Sequence, residues 1–332
     1  MNKPKFSDKD YIDFLIASPR TFSCTEAARV QPEQGNSSAA HDAITRLLYR
    51  LQADPDQLWQ EARTQVKLAQ GILVVDDSTL DKPYARRMEL VYRQWSGKHR
   101  RVVCGINLVT LLWTDGDRHV PVDWRVYDKP HDQASKNDHF SAMIETAKAR
   151  GFAPACVAFD SWYGSLANLK RVRACGWRWL TQLKANRLVD PDRSGNRPLA
   201  SLELSASGTI VHLKGYGLVK VFRIDAPDGD IEYWASSDLG MHELQRVQYA
   251  GYANTIEQYH RGIKQFCGVE RCQAHGARAQ RSHIGLALRA FLRLESYCFH
   301  AGISWFAAKT QIIRDAARAY IARPQYHLIR TA

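Results

Sequence analysis

Long apolar runs are missing from this chain of 332 residues, and with them a whole class of functions. No stretch approaches the roughly 20 apolar residues that a membrane-spanning helix needs. The polar start Met1-Asn-Lys-Pro-Lys-Phe-Ser-Asp-Lys9 carries no signal-peptide core, so a cytoplasmic protein is expected. Cysteine is sparse too: seven residues, scattered, odd in number and without a CxxC pair, which argues against a disulfide framework. Cys267, Cys272 and His275 are the one close cluster of metal-ligating side chains, but structural zinc takes four ligands and no second pair accompanies them. Neither a repeat nor a low-complexity tract is evident, and no heptad seam marks a self-association surface. Acid is scarce relative to base, with 34 Asp plus Glu against 46 Lys plus Arg, a net charge of +12. That balance favours a polyanionic partner, and nucleic acid is the first candidate.

With 45% hydrophobic residues, the chain has enough apolar material for at least one substantial core. From Ser7 to Val66 the pattern is helical, with Asp8 to Ile16, Thr25 to Val30, Ser38 to Leu51 and Pro55 to Val66 separated by Pro, Gly, Ser and Asn. Residues 1–66 therefore read as a helical, DNA-binding domain. The second and third segments suit a helix-turn-helix that offers His41, Thr45, Arg46 and Arg50 to DNA, although the stretch from Gln31 to Ser38 is long for the turn. A plain helical bundle fits the same pattern.

Strand patterns follow at Ile72 to Val75, Met88 to Trp95, Val102 to Trp113 and Val120 to Tyr127. A helix from Asn137 to Arg150, a strand from Ala155 to Phe159, a helix from Ser165 to Cys175 and a strand from Trp177 to Leu183 come next. An antiparallel meander followed by alternating helix and strand predicts an α/β fold, a mixed sheet flanked by helices. Residues 185–237 read as a β-rich insertion. Helices resume from His242 to Phe266 and from Ala279 to His300, and residues 306–332 are expected to form a helical tail.

Three acids stand out by their settings. Asp77 follows the apolar run Ile72-Leu-Val-Val75, Asp160 ends Ala155-Cys-Val-Ala-Phe-Asp160, and Glu257 lies in the helical tract Thr255-Ile-Glu-Gln-Tyr-His-Arg-Gly-Ile-Lys264. Two strand-end aspartates and a helix-borne glutamate can converge into a carboxylate pocket, and carboxylates are the donors that Mg²⁺ prefers in phosphoryl transfer. Asp76 is the rival for the first position, because neighbours along a strand point to opposite faces. On the helix, Glu257, Arg261 and Lys264 share one face, while Ile256, Tyr259, Ile263 and Phe266 form an apolar one. A solvated Glu/Arg/Lys stripe is the bland alternative. Trp162, Tyr163, Tyr233 and Trp234 suit either core packing or base stacking.

Taken together, these segments resemble the DDE transposases of bacterial insertion sequences, in the IS4/IS701-like grouping. The residues that carry the resemblance are Val75-Asp-Asp-Ser-Thr79, Phe159-Asp160, Gln182-Leu-Lys-Ala-Asn-Arg187 and Ile256-Glu-Gln-Tyr-His-Arg-Gly-Ile-Lys-Gln-Phe-Cys-Gly-Val-Glu270. The similarity covers about residues 67 to 300 and implies an RNase H-like catalytic core, residues 67–184 and 238–305, interrupted by the insertion. It implies Asp77, Asp160 and Glu257 as catalytic residues and ligands of two Mg²⁺ ions, with Mn²⁺ able to substitute. Arg261, Lys264 and Arg271 would contact DNA phosphates. The family's Tyr-x2-Arg-x3-Glu-x6-Lys signature is half kept: Lys264 is in place, but Ala250 and Ala253 replace the Tyr and Arg, leaving Arg261 or Arg246 to supply that contact. The implied activity is cut-and-paste transposition, by a homodimer bound to terminal inverted repeats and target DNA. A nuclease without strand transfer and a domesticated DNA-binding relative remain the alternatives.

Overall fold

The computed structural model describes residues 5–32, 38–97, 99–129, 131–225 and 229–324. Residues 33–37 of the expected linker between the second and third helices, and residues 325–332 of the expected tail, lie outside that set. The chain opens with helices α1 (Asp8–Ala17), α2 (Cys24–Arg29) and α3 (His41–Arg50), and a short α4 (Pro55–Ala62) precedes the first strand. Then come β1 (Ile72–Asp81), β2 (Tyr92–Ser96), β3 (Arg101–Thr114), β4 (His119–Tyr127), α5 (Lys136–Ala149), β5 (Cys156–Phe159), α6 (Leu166–Ala174) and β6 (Trp179–Leu183). The expected insertion holds β7 (Leu188–Asp190), β8 (Arg197–Pro198), β9 (Thr209–Leu213), β10 (Gly217–Asp225) and β11 (Ile231–Ser236). Helices α7 (Glu243–Phe266), α8 (Ala277–Ala301) and α9 (Trp305–Ala322) complete the order. Among the described residues, no helix is long and apolar enough to cross a membrane.

These elements form two compact units. One contains residues 55–85 and 90–260; the other contains the residues up to 54, 86–89 and those from 261 onward. In the first, the strands run in the order β4-β3-β1-β5-β6, with β1 antiparallel to β3, β3 antiparallel to β4, and β5 parallel to both β1 and β6. This is the mixed sheet, flanked by helices, that the sequence predicts. Parallel neighbours need a crossover, and α6 supplies the one between β5 and β6. Ile72 to Val75 and Cys156 to Phe159 are buried throughout, as expected of central strands covered on both faces. Helices α4 and α5 pack on β4, and α6 on β6. Ser135 starts α5 with a capping box: its hydroxyl accepts from the Asp138 N–H, and the Asp138 carboxylate accepts from the Ser135 N–H.

Two expectations change here. The polar run Asp76-Asp-Ser-Thr79 suggests that β1 ends at Val75, yet the strand continues to Asp81, because β3 pairs with it as far as Asp81 opposite Gly105. Both aspartates therefore sit inside a strand rather than at its end. The insertion also joins the sheet: β11 pairs antiparallel with β6, and β10, β9, β7 and β8 follow outward.

The second unit packs α1 and α3 on α8, α2 on α3, and α9 on α8 and α1. Its core includes Tyr11, Ile12, Leu15, Ile44, Leu47, Ile284, Leu288 and Phe291. At its centre the Tyr11 hydroxyl and His283 Nδ1 are hydrogen-bonded at 3.0 Å, and His283 Nε2 lies 2.9 Å from the Gly268 carbonyl oxygen. Lys309 on α9 donates to the carbonyls of Leu15, Ile16 and Ser18, which satisfies the end of α1 with a cation.

Candidate active site

Alternation along β1 sends Asp76 and Asp77 to opposite faces of the sheet, and their surroundings differ accordingly. Asp77 is fully engaged. Its Oδ2 accepts from Asn107 Nδ2 on β3 at 2.6 Å and from Lys136 Nζ, the first residue of α5, at 2.8 Å, while its Oδ1 accepts from the Tyr163 hydroxyl at 3.0 Å. Three elements thus clamp one carboxylate with charge-assisted and neutral hydrogen bonds.

Asp76 faces other acids instead. The protein crowds around its carboxyl although 27% of the side chain remains accessible. Desolvation comes first, then the charges of Asp77 and Asp160, with a further push from Glu257; together they hold this carboxyl well above the usual carboxylate range. Buried His260 on α7 brings its Nδ1 to 3.8 Å from Asp76 Oδ2. Glu257 stands three residues earlier on that helix and is solvent-exposed, so it shares the face of His260.

Asp160 follows directly on β5. The last paired residue of β5, Phe159, lies opposite Val75 in a parallel pair, so Asp76 and Asp160 each follow that pair directly. The Asp160 Oδ1 accepts from the backbone N–H groups of Trp162 at 3.0 Å and Tyr163 at 3.2 Å, and Thr181 on β6 donates to its carbonyl. Desolvation and the charge of Asp77 raise its carboxyl, against the pull of those N–H groups and Lys136.

The structure therefore brings Asp76, Asp77, Asp160 and Glu257 into one electrostatic neighbourhood. Among the described residues, no three His, Cys, Asp or Glu side chains are drawn together closely enough to enclose a metal ion. The donor set nevertheless suits a hard divalent cation, because it is all carboxylate and its members repel one another in the absence of a counter-charge. His260, Lys136 and Asn107 are the neighbours that sequence reasoning missed, and Tyr163, read as a packing or stacking residue, also donates to Asp77. Only His260 left a signal, by standing one helical turn from Glu257.

The apolar face of α7 is as expected: Ile256, Tyr259 and Ile263 are buried. Arg261 and Arg271 are exposed, and Lys264 is half-buried; all three belong to the helical unit. Arg246 does not present itself to solvent; it is buried, with its guanidinium 5.9 Å from the centroid of the Phe222 ring on β10. On α3, Arg46 pairs with Asp42 at 2.7 Å, and Arg46 and Arg50 line a surface groove with Lys5, Phe6, Ala43 and Tyr49. Tyr233 and Trp234 are core residues, 5% and 9% exposed, and Trp234 Nε1 donates to Glu232.

Comparison with known proteins agrees with this architecture. The profile of the DDE superfamily endonuclease family matches residues 9–201. A cryo-EM structure of the piggyBac transposase synaptic complex with hairpin DNA is similar over 98% of this chain and 76% of that one, at 13% identity and a TM-score of 0.51. The Drosophila P element transposase strand transfer complex aligns with 53% of this chain and 37% of its own, at 11% identity and a TM-score of 0.27. No curated protein matches the sequence.

Proposed function

Because the chain belongs to the DDE superfamily endonucleases, we propose that it is a transposase that cuts DNA at the ends of a mobile element and joins them to target DNA. The acidic triad in this reading is Asp76, Asp160 and Glu257. What supports it is the setting of Asp76: after desolvation and the charge of Asp77, the charges of Asp160 and Glu257 push its carboxyl up, and His260 on α7 stands 3.8 Å away. Asp77, which the sequence reading favoured, becomes the residue that fixes β1 in place, since its oxygens are already taken by Asn107, Lys136 and Tyr163.

In the first step water attacks a phosphodiester at the element end, a new P–O bond forms and the P–O3′ bond breaks, leaving a 3′-hydroxyl. In the second step that hydroxyl attacks a phosphodiester of target DNA, releasing another 3′-hydroxyl. Divalent ions held by the three carboxylates would supply activation of the nucleophile and charge neutralisation at the phosphoryl oxygens. The chain itself contributes orientation. The N–H groups of Trp162 and Tyr163 fix the Asp160 carboxylate, and the parallel pairing of β1 with β5 as far as Val75 and Phe159 supports a place for Asp76 at the same end of the sheet. Arg46, Arg50, Arg261, Lys264 and Arg271 are the proposed phosphate contacts, and two copies are proposed to act on paired ends.

The test is cleavage and joining of labelled element-end DNA in Mg²⁺ or Mn²⁺. Asp76→Asn, Asp160→Asn and Glu257→Gln should each abolish both steps, whereas Asp77→Asn should retain a reduced rate in proportion to folded protein. Full activity in Asp160→Asn would sink the assignment. Cleavage with no joining to a second duplex would identify a nuclease instead.

A further inference from the structure

One buried hydroxyl on the sheet is left unpaired by the fold. Thr110 on β3 is fully buried, and its Oγ1 has no hydrogen-bond partner among the described residues. Its counterparts are engaged: Thr114 Oγ1 accepts from the Gly116 N–H, Thr181 donates to the Asp160 carbonyl, and Ser236 donates to that of Trp179. Buried polar side chains are rarely left in this condition, and each exception calls for a reason. Strand propensity is not one, because valine would fill the same pleat without burying a polar atom.

The strand register shows what this hydroxyl faces. Thr110 is the partner of Asp76 in the antiparallel pairing of β1 with β3. Residues directly opposite in such a pair leave the sheet on the same face, with Cβ atoms about 4.5–5.5 Å apart. Rotation about the Thr110 χ1 torsion, from one staggered well to another, is all that redirects the hydroxyl toward that neighbour. On the other face β3 already supplies a donor to an aspartate, since Asn107 donates to Asp77.

Resting on the assignment of Asp76 to the acidic triad, we propose that Thr110 is a positioning residue whose hydroxyl donates to the Asp76 carboxylate when that carboxylate holds a divalent ion. A carboxylate bound to a cation keeps lone pairs to spare, and a hydrogen bond to one of them fixes the ligand's orientation before the ion arrives. Thr110 itself touches neither the ion nor DNA.

The experiment titrates Mn²⁺ into the full chain without DNA, following free Mn²⁺ by electron paramagnetic resonance. Thr110→Val should weaken Mn²⁺ binding about 10- to 100-fold, and Thr110→Ser, which keeps the hydroxyl, should stay within about threefold of the wild type. In EDTA, Thr110→Val should melt at or above the wild-type temperature, because it removes an unpaired buried hydroxyl and leaves the shape intact. With saturating Mn²⁺, cleavage of element-end DNA by Thr110→Val should show a lower kcat at an unchanged KM for DNA. Wild-type Mn²⁺ binding in Thr110→Val, a Thr110→Ser variant as weak as Thr110→Val, or a Thr110→Val protein that melts below the wild type in EDTA overturns the proposal. Asp76→Asn separates the two readings. If it binds Mn²⁺ like the wild type, the triad assignment falls and this inference with it; if it loses Mn²⁺ while Thr110→Val does not, this inference falls alone.

Discussion

Replacing Asp76 by Asn should make the metal-free protein more stable while abolishing catalysis. If Asp76 and Asp160 continue the register of Val75 opposite Phe159, on parallel strands about 5 Å apart, their carboxylates stand on the order of 6 Å from each other. At an effective dielectric constant of about 20, two like charges at that distance repel by about 3 kcal/mol. Asp160 is exposed and Asp76 partly so, and solvent screening reduces this to about 1–2 kcal/mol. For a unit of this size the gain corresponds to a rise in Tm of about 3–6 °C. The sign has a pH signature. A carboxyl whose folded pKa is raised leaves stability intact below its unfolded value and erodes it as pH climbs through the folded value. The advantage of Asp76→Asn should therefore be greatest at about pH 8 and shrink toward pH 5. Circular dichroism melting in EDTA across that range measures it. An Asn variant that melts at or below the wild-type temperature at about pH 8, or a gap that does not change with pH, would refute the reasoning.

The remaining outcomes follow from other contacts. Asp77→Asn should destabilise by about 1–3 kcal/mol in urea unfolding, the opposite of its neighbour, because Lys136, Asn107 and Tyr163 lose a charged acceptor. Saturating Mn²⁺ should stabilise the wild type by about 2.7 kcal/mol at a hundredfold excess over Kd, read as a rise in melting temperature, and EDTA should reverse this; Asp160→Asn should show little response. In Gly262→Ala, the added Cβ would lie 2.7 Å from the Phe291 ring and 3.1 Å from that of Trp305, so a loss of about 1–3 kcal/mol is expected in the same unfolding assay. If Arg46 and Arg50 contact phosphates, each alanine variant should lower the slope of log affinity against log salt by about 1, measured by fluorescence anisotropy.

Much of the architecture is legible from periodicity. The buried run Ile72 to Val75, the long apolar β3 and the helical spacing of Ile256, Tyr259 and Ile263 all carry their burial in plain sequence. The end of β1 does not, because polar residues there signal a loop while long-range pairing with β3 keeps the chain extended. Asp160 is readable as the acid after a buried strand. The choice between Asp76 and Asp77 is not, since two adjacent aspartates give identical local signals. What separates them is a lysine on α5 and a histidine on α7, each distant in sequence from β1. Tyr233 and Trp234 were ambiguous for a similar reason: only the pairing of β11 with β6 and β10 buries them.

The joining of the insertion to the catalytic sheet bears on how such a protein can be rebuilt. A segment that bulges from a loop can be deleted and the ends tied; this one cannot. Removing residues 185–237 would strip β11 from β6 and leave the strand that carries Thr181, the donor to the Asp160 carbonyl, as a bare edge with unpaired amides and carbonyls. Engineers seeking a minimal nuclease from this chain would trade a shorter polypeptide for an adhesive border one strand away from its second aspartate.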